Sequence, residues 1–432
     1  MIEKNRKIRL ESVSMPAQTA VLEERNYIGS FGPNEVRVIE SSPALIRKSL
    51  IAPIGTKPLK ELLKNKDKIL IISDDNTRHT PVKEIIEILD EELNLERKHV
   101  TILIALGTHR SMTAKEIDAK FGEGIRKKFS IINHDWKDVN KLKFIGKTHQ
   151  GVRVWVNKLV CEADFVIGLG SIVPHATTGY SGGAKIVVPG VSGEETTSDT
   201  HWAAGKIPLG DILGIYRNPI RAGIDAISKK AGLKFIINTV MDPGGNIAGV
   251  VSGEPVKAHK AGVKISRHIY GVGIEKKADI VVADSYPTDI DLRQAIKAVA
   301  SASLVVRDKG IIILLARCPD GIAPQFPEFL DLGFADPGRI SEMVARGEIK
   351  EKVIAYTLVV IGKIMKDKAR VILVTKGISK SDAEKMGFLW AADFKSALDY
   401  AKKIKGVKAS VLFLKEAGKI LPLVTGNRRK VR

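Results

Sequence analysis

The chain has 432 residues, more than one hydrophobic core usually serves, so two domains are the first expectation. Hydrophobic residues at 44% with 27% charged residues fit a soluble globular protein, and no apolar run reaches the roughly 18–20 residues that would span a bilayer. The formal net charge is +20, but aromatics at 5% are too sparse for base stacking and no nucleic-acid motif is present, so the charge reads as anion steering and surface chemistry.

The start, MIEKNRKIRLESVS, has neither an apolar h-region nor a small-residue cleavage site and does not read as a signal peptide. From residue 68 onward, Val- and Ile-rich runs recur: KILIIS (68–73), VTILIAL (100–106), ADFVIGL (163–169), KFIINTV (234–240), DIVVAD (279–284), GIIILLA (310–316), RVILVT (370–375) and SVLFL (410–414). Bounded by Gly, Asp or Pro, these predict buried parallel strands. Between the first two, TPVKEIIEILDEEL has apolar residues at 82, 85, 86, 88 and 89, the spacing of a crossover helix. The fold class is therefore α/β, as two α/β domains with largely parallel sheets and the active site expected in the cleft between them. The polar, Gly-punctuated stretch at 258–279 sets the boundary: an N-terminal domain over 1–262, a linker over 263–278 and a C-terminal domain over 279–432. The end, KILPLVTGNRRKVR, with its cluster of Arg428, Arg429, Lys430 and Arg432, either packs back on the first domain or is loose. Cys161 and Cys318 make no disulfide framework, which favours a reducing cytoplasm.

Ligands of open α/β sheets bind beyond the carboxyl ends of the strands. The first strand ends in Ser73-Asp74-Asp75-Asn76-Thr77-Arg78-His79 and the second in Gly107-Thr108-His109-Arg110, with Thr113 and Glu116 spaced as a capping box. The third runs into Ser171 and His175, and the strand at 279–284 precedes a helix bearing Arg293, Gln294 and Lys297. The stretch from His175 to Gly193 is rich in Gly, Thr and Ser around Lys185, a composition suited to phosphate. It is not a P-loop, since Ile186 follows the lysine, and GLGSIV lacks the third glycine of a dinucleotide fingerprint.

Of nine histidines, His99, His259 and His268 lie in charged stretches and are expected in solvent, while His134 and His149 are expected to be structural. His109, His175 and His201 each adjoin a strand end or the glycine-rich loop, where imidazole serves as a general base or a metal ligand. A metal-dependent hydrolase using these three is one rival, although no H-E-x-x-H pair exists. An anion- or nucleic-acid-binding protein driven by the net charge is another.

The set DDNTRHTP, ALGTHR, H-x-T-T-G-Y-S-G-G-A-K, T-H-W and R-Q-A-I-K resembles, in order and spacing, the lactate racemase family, from about residue 10 to about 420. That resemblance implies a racemase or 2-epimerase of a 2-hydroxy acid, using a nickel-pincer nucleotide attached through Lys185. It implies His201 as nickel ligand, His109 and His175 as opposed acid/base groups, and Arg78 on the substrate carboxylate. Thr177, Thr178, Ser181 and Asp75 fall to cofactor binding, and Gln294 and Lys297 of the second domain to the substrate. Partners implied are the cofactor-synthesis and nickel-insertion proteins, with no nucleic acid and no membrane; a homodimer is compatible. The chemistry is coherent. A Cα–H beside a hydroxyl is a poor acid, but loss of the hydroxyl proton with hydride leaving Cα gives a planar 2-oxo acid, and hydride returned to the other face inverts the centre. Where the lactate enzyme has an aromatic residue before the Gln, this chain has Arg293. A guanidinium there favours a second carboxylate, as in malate, or the hydroxyls of an aldonic acid, over lactate; the alternative is that Arg293 merely contacts solvent or the nucleotide phosphate.

Overall fold

The structure, a computed structural model, describes residues 6–36 and 40–425. It divides into two compact units, one of residues 35–269 and one combining residues up to 34 with those from 270 onward.

In the 35–269 unit, continuous apolar runs become strands covered on both faces. Ile69, Leu70, Ile71 and Ile72 of strand Lys68–Asp74 are 2% exposed or less, as expected of a central parallel strand. The six-stranded sheet runs in the order Ile247–Gly253, Leu233–Met241, Phe165–Ser171, Lys68–Asp74, His99–Ala105, Ser130–Asn133. Every neighbouring pair is parallel except the 247–253 edge strand. Helix Val82–Leu93 makes the first crossover and buries Val82, Ile85, Ile86, Ile88 and Leu89, the positions its spacing predicts. It stops at Asn94, whose left-handed backbone (φ 49°) caps it. Helix Ala114–Phe121 starts on the capping box, with Thr113 and Glu116 each bonding the other's backbone N–H. From 68–74 the chain steps outward to 99–105 and 130–133, then returns on the other side of 68–74 as 165–171. The strand order thus reverses between 68–74 and 165–171, which places Asp74 and Ser171 at the switch point where such sheets bind ligands.

The other unit has an all-parallel sheet, in the order Leu389–Ala391, Ala369–Val374, Val306–Leu315, Ala278–Asp284, Val411–Leu414, Tyr27–Phe31. All eight expected strands are present across the two sheets. The boundaries differ from those the sequence suggests. Strand Tyr27–Phe31 pairs with Val411–Leu414, so residues 6–34 group with the C-terminal unit rather than with 35–262. The stretch expected as a linker, 263–278, is ordered: helix Pro255–Tyr270 runs into it and strand Gly271–Ile274 follows. That strand pairs with Leu421–Val424, so the chain's end packs within its own unit up to Thr425. The basic cluster at 428–432 lies outside the described residues. Among the described residues, no helix is long and apolar enough to cross a membrane.

Candidate active site

The loop after 68–74 turns on two adjacent carboxylates with different partners. Asp74 is 8% exposed; Thr80 donates to its Oδ2, and Lys120 Nζ lies 3.1 Å from Oδ1. Burial raises its carboxyl above the ordinary value, while Lys120 and Thr80 oppose that rise. Lys120 also donates to the Arg78 carbonyl at 3.0 Å, so one buried ammonium ties both ends of the loop and leaves the Arg78 side chain exposed. Asp75, 4% exposed, takes up a different task. Its Oδ2 accepts from Nδ1 of His109 at 2.6 Å, and its Oδ1 accepts from the Thr77 N–H and hydroxyl at 3.1 and 2.5 Å. Burial alone would raise Asp75, but the bonds from His109 and Thr77 hold it below the usual carboxylate value. Asp75, expected as a cofactor contact beside Arg78, orients His109 through its carboxylate. Because a carboxylate only accepts, His109 carries its proton on Nδ1 and presents a basic Nε2.

His175 rests in the other tautomer. The Thr177 N–H donates to its Nδ1 at 3.2 Å, which places the proton of the neutral ring on Nε2. Thr178 Oγ1 donates to the Tyr180 carbonyl at 2.8 Å; Ser181 Oγ donates to the Ser171 carbonyl at 2.7 Å and accepts from the Val173 N–H at 2.9 Å. These two hydroxyls, expected on the cofactor, shape the loop itself, and Thr177 is 3% exposed. Gly182 and Gly183 have φ of 71° and 61°, where a side chain is strained, and Lys185 follows half-buried in the turn Gly183–Ile186. On helix Glu194–Gly205, His201 Nδ1 donates to the Thr197 carbonyl at 2.8 Å. That bond leaves Nε2 as the lone-pair nitrogen, the arrangement metal-ligating histidines adopt. Two contacts draw these pieces together. The Gly107 N–H donates to the Gly190 carbonyl at 2.9 Å, joining the His109 loop to the glycine-rich one. Trp136 bridges the His109 carbonyl (3.1 Å from Nε1) and the N–H of Glu194 (3.3 Å), the first residue of the His201 helix.

Among the described residues, no group of three or more His, Cys, Asp or Glu is placed to hold a metal ion. His109, His175 and His201 therefore do not come together as such a group. A single imidazole suits a metal that arrives with its other ligands already in place.

The lactate racemase N-terminal domain model matches residues 15–207, and the C-terminal domain model matches residues 274–420. The chain belongs to the lactate racemase family. The lactate racemase of Thermoanaerobacterium thermosaccharolyticum is 34% identical over 290 residues, 66% of this chain and 68% of that protein. That of Lactiplantibacillus plantarum is 32% identical over 311 residues, 70% and 73% respectively. The structure of the T. thermosaccharolyticum lactate racemase apoprotein superposes with a TM-score of 0.85 at 28% identity, covering 97% of this chain and 100% of that one. A Thermotoga maritima protein shares the fold, with a TM-score of 0.64 at 21% identity over 89% of this chain and 98% of that one. As a member of the lactate racemase family, the protein is an isomerase of the racemase class.

In the unit that matches the lactate racemase C-terminal domain, Asp291 caps the short helix Leu292–Ala295 by accepting from the Gln294 N–H at 2.7 Å. Lys297, which opens the next helix, Lys297–Ser303, donates to Gln294 Oε1 at 2.5 Å. Gln294 and Lys297 thus come together as their spacing predicts. Arg293 goes elsewhere: its guanidinium stacks over Phe326, 5.1 Å from the ring centroid, and its Nε is buried without a hydrogen-bond partner. Burial lowers its pKa, against the pull of Asp291. Sequence reasoning missed Lys120, Trp136, Arg221 and His259. His259, expected in solvent, is 1% exposed, whereas His99 and His268 are exposed and His134 is buried as a structural residue between Ser192 and Asn157.

Proposed function

We propose that the protein interconverts the configurations at the hydroxyl-bearing carbon of a 2-hydroxy acid, with malate-like or aldonic acids preferred over lactate. The observation that carries this reading is the opposite resting tautomers of His109 and His175, in loops that also present Lys185 and a lone-pair Nε2 on His201. The donor set fits the nickel cofactor of this family in its pincer-nucleotide form. Lys185 offers the amine for covalent attachment and His201 one nitrogen for the metal. When bound, that group would supply a hydride acceptor beside the substrate.

The chain's own residues supply the rest. Arg78, exposed on a clamped loop, pairs with the carboxylate common to every 2-hydroxy acid, its planar fork making two hydrogen bonds. His109 removes the hydroxyl proton of one enantiomer through Nε2, and Asp75 holds the ring and stabilises the resulting imidazolium. His175, protonated on Nε2 at rest, hydrogen-bonds the same oxygen from the other side and exchanges roles with His109 for the opposite enantiomer. Gln294 and Lys297 add polar contacts to the substrate, and Arg293 is the group that favours a second carboxylate or further hydroxyls.

Protein produced with the cofactor-synthesis and nickel-insertion proteins tests this by intact mass, nickel content and loss of optical rotation on enantiopure acids. Wild type should carry an added mass and racemise the larger polar acids fastest. Lys185→Ala should lose both the mass increment and activity while keeping its fold, since a loop lysine adds little to the core. A Lys185→Ala protein that retains the added mass refutes the attachment, and faster turnover of lactate refutes the substrate class.

A further inference from the structure

Five backbone groups in the run leading to Lys185 are gripped by buried side chains from three other elements. The Tyr180 carbonyl accepts from Nη2 of Arg221, and the Gly182 carbonyl accepts from Nη1 of the same residue at 3.2 Å. Between them, the Ser181 carbonyl accepts from Nε2 of His259 at 2.8 Å. The Gly183 N–H donates to Oδ1 of Asn238 at 2.7 Å, and the Ala184 carbonyl accepts from the Ser228 hydroxyl at 3.1 Å. Arg221 and Ser228 lie on helix Pro219–Ala231, Asn238 on strand Leu233–Met241 and His259 on helix Pro255–Tyr270. All four are 2% exposed or less.

These side chains also fill the space that side chains at the two glycines would need. A Cβ on Gly182 would stand 2.8 Å from Asn238 Oδ1, and one on Gly183 would stand 2.8 Å from the His259 ring. Left-handed backbone and close packing thus make the same demand for glycine. Burial, with the Arg221 charge beside it, pushes the His259 imidazole well below its ordinary pKa. The ring is therefore neutral and serves as a fixed N–H donor rather than as an acid or base.

We infer that Arg221, Ser228, Asn238 and His259 are positioning residues that set the backbone from Tyr180 to Ala184 and so fix how Lys185 is presented for covalent attachment. A loop held at five of its backbone groups by buried side chains keeps its geometry before any cofactor arrives. The inference rests on Lys185 being the anchor, but the conformation it describes can be probed in the apoprotein without cofactor.

Full-length apoprotein is treated with a limiting amount of acetic anhydride, and acetylation of Lys185 is measured by peptide mass spectrometry relative to exposed Lys48. The ratio cancels reagent decay; because global unfolding would expose half-buried Lys185 but not change exposed Lys48, each variant is compared only where circular dichroism shows it folded. His259→Leu and Arg221→Met should raise the ratio about fivefold or more, because buried carbonyls left without donors open the loop. His259→Gln, whose amide N–H reaches the position of Nε2, should stay within about twofold of wild type. A purely space-filling role for His259 would make the leucine and glutamine variants alike. Equal ratios in wild type and His259→Leu, or equal ratios in the two His259 variants, overturn the inference. If the larger changes prevent folding, Ser228→Ala removes one donor with little loss of volume and should raise the ratio about threefold. An unchanged ratio there also overturns it. A Lys185 that responds as expected but never carries cofactor would instead count against the attachment.

Discussion

Replacing Lys120 by methionine removes a cation whose side chain is 8% exposed and which lies 3.1 Å from the buried carboxylate of Asp74. Methionine keeps most of the volume, so the perturbation is chiefly one of charge. Breaking a buried ion pair by deleting one partner costs roughly 3–5 kcal/mol, because the remaining charge is left uncompensated. The bond from Nζ to the Arg78 carbonyl, about 1 kcal/mol, goes with it. Together these make roughly 4–6 kcal/mol, and at roughly 2–4 °C per kcal/mol for a unit of this size the melting temperature should fall by about 8–24 °C. The loss also depends on pH with a definite sign. Asp74 already has a raised pKa from burial, and Lys120 opposes the rise; without it the folded-state value climbs further. A carboxyl that binds its proton more tightly folded than unfolded makes stability fall as pH rises from the unfolded value through the folded one. Lys120→Met should therefore lose less at pH 5 than at pH 8. Asp74→Asn in the same background should recover most of the loss at pH 8, since no charge then remains to be solvated. Circular dichroism melts of wild type, single and double variants at both pH values measure this. An equal fall at the two pH values, or no recovery in the double variant, would refute the account of the pair.

The remaining predictions concern chemistry. His201→Ala should fold normally but lose nickel, measured by metal analysis of protein loaded alongside wild type; full occupancy would contradict a ligand role. His109→Ala and His175→Ala should each slow racemisation about 10²–10⁴-fold. Turnover in heavy water should return little deuterium to Cα, and rapid incorporation would point to carbanion chemistry instead. Arg293→Tyr should erase the preference for malate-like or aldonic acids in a panel of enantiopure substrates. An unchanged ranking would show that the guanidinium over Phe326 does not set specificity.

The central strands are legible because a strand covered on both faces reads as an unbroken apolar run, as KILIIS and DIVVAD do. Elements that face water on one side lack that signal. Strand Tyr27–Phe31 has no fully buried residue and joins a sheet whose other members start some 250 residues later, so nothing local assigns it to the C-terminal unit. Helix Pro255–Tyr270 reads as a polar linker because its buried stripe includes Ala258, His259, Gly262 and Ser266 as well as Val263 and Ile269. Those positions nevertheless recur at three- and four-residue spacing. The helical period was present; the residue types concealed it.

The same distinction divides the candidate site. His109, His175, Lys185 and His201 are visible because reactive residue types sit beside strand ends or glycines, where backbone geometry is already special. The residues that hold them are not, because they act on backbone atoms, and a hydrogen bond to a carbonyl leaves no mark in the sequence of the segment that supplies it. Arg221 and His259 reach a loop about 40 and 80 residues earlier, and their own surroundings are ordinary helix. What the loop does record is the consequence. Two adjacent glycines before a functional lysine mean that something fills the space around them, and a buried histidine on a distant helical stripe is a donor in need of an acceptor. Gly182 and Gly183 first suggest a phosphate cradle, but the nearest side chains at these two positions are Asn238 and Ile172 at the first and His259 at the second. The glycine pair here answers to packing from beneath the loop, and the specificity of the H…GYSGGAK block reflects the holders as much as the residues held.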